Sequence, residues 1–321
     1  MRHAPPRDQR RGGRTLLTAA LLLPGLYWDH GVETAPALRR AGVDCIHTPP
    51  ARLASWEKAG FCAHPASLEG RVKLPPPGVR WEINEATATR APWVDSNGWR
   101  LLRAPGARFF YSQLPAGKAA LAAAEAFAYG ADAWLQVQPA DLEAFAKMLV
   151  WLKALEAPPL APRANIALYD DGSDLTGEVM NLLSRRNLLY RVVSAPDASA
   201  DLNVRIGSKQ HPKSDAANPS TFAQKLRAEL GDARRLARLF GSEVVLARLA
   251  GDAARARLHL LNYGGEPVEG LRVRLLGAYS KVMLVVDGRE RAAAEELEVS
   301  ARSTEFTAPA MGIYVVADLE R

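Results

Sequence analysis

The sequence has few cysteines, few aromatic residues and no long apolar run, so none of these features assigns it to a protein class directly. It holds only two cysteines, Cys45 and Cys62, which neither require nor exclude an oxidising compartment. No apolar run reaches the ~20 residues that a membrane-spanning helix needs, so we predict no integral membrane span. Only 7% of the 321 residues are aromatic, while 48% are hydrophobic and 24% are charged. This composition is typical of a soluble α/β protein with a large core.

The excess positive charge is concentrated at the N-terminus. The formal net charge is +6, but residues 1–14 hold five arginines against one aspartate and contribute +4 of it. The other 307 residues carry +2. That is too little for the phosphate-neutralising field on which nucleic-acid binding depends. We therefore expect no nucleic-acid partner.

An uncharged run from Thr15 to Trp28 follows the basic tail. A basic tail before about 7–15 apolar residues is the pattern of a secretory signal. No A-x-A cleavage site follows, and the run ends in letters that resemble a buried strand, so an unstructured start is the alternative. We assign residues 1–25 to a signal-like segment and expect a periplasmic or secreted protein.

Short apolar runs alternate with helical stretches over residues 26–156, which predicts parallel strands joined by helices. The strand candidates number about eight: LYWDH, DCIHTPP, FCAHP, RVKLP, VRWEINEA, APWVDSNGW, RFFYSQLP and ADAWLQV. Eight strands predict a compact (β/α)8 barrel. Because ~130 residues fall well below the usual length of about 250, an incomplete barrel is the alternative.

Two further units are predicted after a proline-rich break that ends at Pro162. Residues 164–241 indicate a small doubly wound α/β unit and a connecting helix from Asn218 to about Gly241. Its loop after the first strand is no phosphate-binding fingerprint, so we expect no flavin, NAD or other cofactor. Residues 242–321 alternate apolar and polar positions in about seven strands, which predicts a β-sandwich. The fold class is therefore α/β plus all-β.

One eight-residue segment, Trp93–Arg100, concentrates groups that recognise sugars. Aromatic faces pack on the C–H surfaces of a sugar, while carboxylate, amide and guanidinium groups bind its hydroxyls. The same letters fit a polar turn anchored by two core tryptophans. Asp95, in the middle of the segment, is the leading catalytic candidate.

Three more carboxylates are candidates for acid/base chemistry: Glu82, Glu85 and Asp29. Strand alternation places Glu82 and Glu85 on opposite faces, so only one can face a cavity. A partly desolvated glutamate there could serve as a general acid, paired with Asp95 or Asp29. An ordinary surface glutamate is the alternative.

Histidines recur near predicted strand ends at His30, His47 and His64, and Cys45-x-His47 is echoed by Cys62-x-His64. Residues two apart share a strand face, so these side chains could converge on zinc. The spacing matches no standard zinc finger, and cysteine in a strand usually acts as a small hydrophobe. We assign no metal, and a metal-dependent hydrolase remains the weakest alternative.

The order of the three units resembles that of clan A glycoside hydrolases similar to trimeric β-galactosidases. The letters that carry the resemblance are LYWDHG, PWVDSNGWR, RLHLLNYGGEPVEGLRVRL and IYVVADL. It implies a barrel, a flavodoxin-like unit that assembles homo-oligomers and a small β-sandwich, with two catalytic glutamates about 5–5.5 Å apart. Asn84-Glu85 is the only Asn-Glu pair, and the last barrel strand ends in Gln136 and Gln138, so the catalytic motif is degenerate.

These observations predict a glycoside hydrolase-like protein that acts on a neutral glycan by carboxylate acid/base chemistry at the barrel rim. The expected substrate-binding residues are Trp28, His30, His47, Trp93, Asn97, Trp99, Arg100 and Gln113. The alternative is a non-catalytic protein with a degenerate barrel that binds glycan or organises an assembly.

Overall fold

The chain folds into three units that pack on one another. A computed structural model describes residues 22–84, 89–155, 160–286 and 289–321. A parallel sheet with helices comes first, a smaller parallel sheet second and two antiparallel sheets third. Every helix in the described part of the chain is too short or too polar to span a bilayer.

Strands and helices alternate over most of the first unit, as the sequence predicts, but its third to sixth strands follow one another without a described helix between them. The strands are β1 (Gly25–Tyr27), β2 (Cys45–Thr48), β3 (Cys62–Pro65), β4 (Val72–Leu74), β5 (Gly78–Asn84), β6 (Thr89–Asp95), β7 (Arg108–Tyr111) and β8 (Asp132–Gln136). The helices are α1 (Ala35–Arg40), α2 (Leu53–Lys58), α3 (Gly98–Arg103), α4 (Ala119–Ala128) and α5 (Leu142–Ala154).

Six of these strands form one open sheet in the order β3-β2-β1-β8-β7-β4, and each neighbouring pair is parallel. This is the cyclic order of a barrel, but within the described residues β3 and β4 remain unjoined. A closed barrel of eight strands is therefore wrong. The fifth and sixth predicted runs, VRWEINEA and APWVDSNGW, contain β5 and β6. These two strands pair with each other as an antiparallel hairpin. Only four residues separate them, whereas a parallel crossover takes about a dozen or more.

One face of the parallel sheet is covered by helices. Leu26, Ile46, Phe109 and Leu135 point to this face from alternate strand positions and share one apolar cluster with side chains of all five helices. Burial of each such large side chain contributes about 1.5–3 kcal/mol. Helix α4 is buried along its whole length, because its alanines let it fit closely between this sheet and the third unit.

The second unit is a three-stranded parallel sheet in the order β10-β9-β11. Its elements are β9 (Ile166–Tyr169), α6 (Asp174–Arg185), β10 (Tyr190–Val193), β11 (Leu202–Val204), α7 (Lys213–Ala216) and α8 (Pro219–Leu230). Helix α8 ends where Gly231 takes a φ of 75°, so the predicted helix to Gly241 is wrong. The flavodoxin-like assignment of this unit stays a prediction.

The third unit consists of two antiparallel sheets, in the orders β12-β15-β19-β18 and β13-β14-β20-β16-β17. Its strands are β12 (Ala237–Phe240), β13 (Val245–Gly251), β14 (Arg255–Asn262), β15 (Leu271–Leu276), β16 (Lys281–Val286), β17 (Ala292–Ala293), β18 (Glu295–Val299), β19 (Ser303–Ala308) and β20 (Tyr314–Glu320). Residues from both sheets share one core, including Val273, Phe306, Leu258 and Val315. The predicted antiparallel architecture is confirmed, and β12, expected as helix, adds a strand to it.

The apolar run at the N-terminus ends inside the fold. Strand β1 lies in the centre of the parallel sheet, paired with β2 and β8, and Leu26 and Trp28 are buried. Residues 1–21 lie outside the described residues. The segment from Gly25 to Tyr27 therefore belongs to the sheet. Export of the protein, directed by the residues before Gly25, stays a prediction.

Candidate functional site

The second face of the parallel sheet carries polar and aromatic side chains in place of a helix-covered core. Alternation along the strands and their register place the charged residues Lys73, Arg108 and Asp132 on this face, together with nine others. We call these nine residues the open face: Gly25, Tyr27, Cys45, His47, Cys62, His64, Phe110, Trp134 and Gln136. Its apolar members form a small cluster with Ala66 and Leu68, separate from the helix-covered core.

A row of rings crosses the open face. The ring centroids of His64 and His47 are 5.5 Å apart, and those of His47 and Trp134 are 4.5 Å apart. The guanidinium carbon of Arg71 lies 3.3 Å from the Trp134 ring centroid. Gly25 makes the row possible, because a Cβ at that position would lie 2.6 Å from the His47 ring. Because His47 stacks on Trp134 and Arg71 lies over the Trp134 ring, the row is a packed cluster of rings.

Polar groups from three strand ends meet beside the row. Gln136 donates from Nε2 to Asp29 Oδ2 at 3.0 Å, and its Oε1 accepts from the backbone N–H of Gln113 at 3.3 Å. His30 Nε2 lies 4.0 Å from Asp29 Oδ1. Gln113 has a φ of 52°, an uncommon conformation for a residue with a side chain. We call Asp29, His30, Gln113 and Gln136 the edge chain, and it occupies the carboxyl edge where α/β sheets bind ligands.

Burial keeps His47 uncharged. Its pKa lies below the ordinary value because of desolvation first, and then because of the neighbouring His64 and Arg71. The pKa of Tyr27 is raised by burial and by the charge of Asp29. At neutral pH the His47 imidazole and the buried Tyr27 phenol are therefore uncharged.

Two cysteines and one histidine also converge on the open face. Cys45 and Cys62 are register partners on β2 and β3. The ligand atoms of Cys45, Cys62 and His64 all lie within 4.8 Å of one another. A hydrogen bond with Cys62, followed by desolvation, raises the pKa of Cys45 to about 11. These three side chains could hold a metal ion, whereas His47 is engaged with Trp134.

Asp95, the leading catalytic candidate, lies elsewhere. It ends β6 in the hairpin, which forms a sheet of its own. Its carboxylate accepts from Arg80 Nε at 2.6 Å and from Arg80 Nη2 at 3.2 Å. The ring centroid of Trp93, on the same strand, lies 3.9 Å from the guanidinium carbon of Arg185. The structure does not bring Asp95 or Trp93 into the edge chain.

Two predicted sugar contacts, Trp28 and Asn97, are wrong because both side chains are 0% exposed. Trp28 donates from Nε1 to Thr34 Oγ1 at 2.9 Å within the core. Asn97 donates from Nδ2 to the Pro75 carbonyl at 2.9 Å and to Glu125 Oε2 at 3.1 Å. Their hydrogen bonds are internal, so both residues stabilise the fold.

Trp99 and Arg100 face the second unit. Trp99 packs against the apolar core of that unit, and a Cβ at Gly177 of α6 would lie 2.9 Å from its ring. The guanidinium carbon of Arg100 lies 4.2 Å from the Trp99 ring centroid. Arg103 then binds Asp170 through two hydrogen bonds of 2.7 Å. The segment that ends at Arg100 therefore helps to join two units, which corrects its assignment to a rim.

The side chains of the two candidate glutamates, Glu82 and Glu85, are not among those that the structure describes. Glu82 belongs to the backbone of β5, and its side chain lies outside the description. Glu85 lies outside the described residues. Their role as general acids stays a prediction.

Sequence reasoning missed Glu125, a carboxyl group that is 0% exposed on α4. It accepts hydrogen bonds from the Asn97 backbone N–H at 2.6 Å, from Tyr111 Oη at 2.8 Å and from Tyr263 Oη at 2.7 Å. Burial raises its pKa, and these hydrogen bonds oppose the shift. Because Tyr263 belongs to the third unit, Glu125 joins two units. A single charge within AALAAAEAFA was the signal that could have identified it.

Comparisons with known proteins give structural similarity alone. No family model and no curated protein matches the sequence. An α-L-fucosidase isoenzyme 2 from Paenibacillus thiaminolyticus has a TM-score of 0.48 and 12% identity, covering 64% of this chain and 57% of that one. A β-galactosidase from Rahnella sp. R3 has a TM-score of 0.42 and 10% identity, covering 86% and 63%. A rhamnosidase from Novosphingobium sp. PP1Y has a TM-score of 0.45 and 10% identity, covering 84% and 38%.

These three glycosidases are similar to the chain at a level that fixes neither its fold nor its activity. The chain spans less than two thirds of the length of each of them.

Proposed function

We propose that the protein binds a neutral carbohydrate on the open face and the edge chain, without hydrolysing it. One observation supports the proposal most directly: hydrogen bonds link Asp29 to Gln136 and Gln136 to Gln113, beside the His47 and Trp134 rings. It places directional partners for sugar hydroxyls beside aromatic side chains that can contact sugar C–H groups.

The chemistry of the edge chain suits an uncharged ligand. A glutamine amide offers two N–H donors and two acceptor lone pairs. Gln136 uses one N–H toward Asp29 and one oxygen contact toward Gln113, so its other positions remain for hydroxyls. The neutral His47 adds no charge to the face. The Arg71 guanidinium over Trp134 is already paired with Asp132, with Nη1 and Oδ1 3.1 Å apart. A hydroxyl-rich neutral molecule therefore matches the site better than an anion.

The carboxylates favour binding over hydrolysis. Glycoside hydrolysis uses two carboxyl groups, about 5–5.5 Å apart in retaining enzymes and about 6.5–9.5 Å apart in inverting ones. Strand β8 ends in Gln136, and Asp95 is engaged by Arg80 on the hairpin. In the described part of the edge chain Asp29 is the single carboxylate. This arrangement supports the non-catalytic alternative.

Calorimetric titration with a panel of neutral mono- and oligosaccharides tests the proposal. We expect Gln136→Ala and Asp29→Asn each to weaken binding about tenfold, because losing one hydrogen bond costs about 1–1.5 kcal/mol. Gln224→Ala, at an exposed position on α8, is the matched control and should bind like the wild type. Equal affinity of wild type and Gln136→Ala would place the ligand elsewhere.

Turnover separates binding from hydrolysis. Incubation of the wild type with a panel of aryl glycosides should release no aglycone above the buffer background. Release that Asp29→Asn abolishes would show a hydrolase and contradict the non-catalytic assignment. The calorimetric result and the turnover result are independent, so each half of the proposal can fail alone.

We also propose that the segment before β1 directs export to the periplasm or the medium. The basic tail followed by the uncharged run from Thr15 supports this proposal. Because β1 is a central strand, cleavage has to occur before Gly25. Mass spectrometry of the mature protein should find its N-terminus between these two residues, and an N-terminus at Met1 would contradict export.

A further inference from the structure

We propose that Cys45, Cys62 and His64 form a binding site for one thiophilic divalent metal ion of the Zn²⁺ type. The three ligands belong to the part of the open face on β2 and β3 and include no residue of the edge chain. The proposal rests on their geometry, so its metal titration can succeed or fail whether or not carbohydrate binds.

Two adjacent strands hold the three ligands in fixed positions. Cys45 is the register partner of Cys62, and His64 shares the face of Cys62 two residues further along β3. Cys62 Sγ lies 3.4 Å from His64 Nε2, and the three ligand atoms all fall within 4.8 Å. A tetrahedral zinc ion places neighbouring sulfur and nitrogen ligands roughly 3.5–3.8 Å apart. Small side-chain movements therefore suffice to close the site.

The donor set matches a soft transition metal. Two thiolates and one imidazole nitrogen are ligands that zinc prefers, and two thiolates balance the charge of a dication. Cysteine is among the residue types most often buried, yet both cysteines of this chain are exposed. In the described residues no other group of three His, Cys, Asp or Glu side chains comes this close.

The fourth coordination position is open. His47, the register partner of His64, has its ring 4.5 Å from that of Trp134 and keeps that contact. Because Cys45, Cys62 and His64 are exposed, water can reach the metal. Three protein ligands with one open position is the arrangement of sites that bind an exogenous ligand.

The test uses the full chain, reduced and stripped of metal with a chelator, and titrated with Co²⁺ alone. We expect one Co²⁺ per chain with thiolate-to-cobalt charge-transfer absorption, and displacement of Co²⁺ by Zn²⁺. The chain has only two cysteines, so Zn²⁺ should protect both from a thiol reagent. His64→Ala should weaken Zn²⁺ binding by more than about 100-fold, since outer-shell partners alone cost about 10–100-fold.

His30→Ala is the matched control, because His30 is a partly exposed histidine outside the cluster, and it should bind Co²⁺ like the wild type. His64→Ala keeps both thiols and removes an exposed ring, so its fold is not at risk. Absence of the charge-transfer band, or equal Zn²⁺ affinity of His64→Ala and wild type, would overturn the proposal. A Cys45–Cys62 disulfide that resists treatment with reductant would also overturn it.

Discussion

The two faces of the parallel sheet satisfy their polar groups in different ways. Beneath the helix-covered face, Glu125 is 0% exposed and receives hydrogen bonds from Asn97, Tyr111 and Tyr263. At the open face, Asp29 remains partly exposed and receives one hydrogen bond from Gln136. A buried polar group is stable only when it is paired. Folding therefore fixes the first carboxyl completely and leaves the second able to bind a ligand.

The largest expected effect comes from removing the buried carboxyl. Glu125→Ala leaves two tyrosine hydroxyls and the Asn97 donors without partners, so we expect a loss of about 3–5 kcal/mol in the free energy of unfolding. Urea denaturation measures the change. Asp29→Ala is the comparison variant, and its loss should stay below about 1 kcal/mol because its partner remains solvated. Equal losses would remove the distinction between the two faces.

Overfilling the open face should have the next largest effect. A methyl group at Gly25 would lie 2.6 Å from the His47 ring and 2.9 Å from the Trp134 ring, so Gly25→Ala should cost about 1–3 kcal/mol. Gly78→Ala is the control, because its nearest neighbour is the flexible end of Lys118. The double variant Gly25→Ala/His47→Ala should be less destabilised than the sum of the singles. Additive losses would mean that the His47 ring does not cause the strain.

The pH dependence of stability should report the ionisation of Glu125. Desolvation raises its pKa in the folded state, so the folded protein holds the proton more tightly than the unfolded chain does. The stability from this group is complete below the unfolded pKa, near 4.5, and is lost as the pH rises through the folded pKa.

Glu125→Gln cannot ionise and provides the reference. The stability of the wild type relative to Glu125→Gln should fall as the pH is raised from about 4 to about 8. Urea denaturation across this range is the measurement. A difference that stays constant, or that grows with pH, would contradict the raised pKa.

The smallest effect is expected on the hairpin. Arg80 is 63% exposed in its pair with Asp95, and exposed ion pairs contribute less than about 1 kcal/mol. Asp95→Asn should therefore change stability little and leave carbohydrate affinity unchanged. A loss of affinity in calorimetry would return Asp95 to the site.

The sequence predicts the strands of the first unit better than their pairing. All eight predicted runs contain strands, because apolar runs bounded by turns are local signals. The pairing of β5 with β6 depends on the short connection between Asn84 and Thr89, whereas the prediction of a barrel assumes a long crossover there. In the second unit, Asn218 caps the N-terminus of α8 close to the predicted start, but the glycine at 231 ends the helix early.

The candidate site could be predicted only in part. Asp29, His30 and Gln113 lie toward the carboxyl ends of predicted strands. Because the carboxyl ends of parallel strands meet at one edge, their proximity to Gln136 follows from local signals. The contact of Arg71 with Trp134 joins residues far apart in sequence. The sequence alone also does not show that Trp99 packs on the second unit, because an interface between units and a sugar-binding site use the same kinds of side chain.

The most direct test of the central claim is an NMR titration of protein labelled with ¹⁵N at its seven tryptophans, with signals assigned by single Trp→Phe variants. Addition of the carbohydrate that calorimetry identifies should shift the indole resonance of Trp134 on the open face. The resonance of Trp56, which is 0% exposed beneath the helices, should remain unchanged. Saturating carbohydrate that leaves the Trp134 resonance in place would show that the open face is not the binding site.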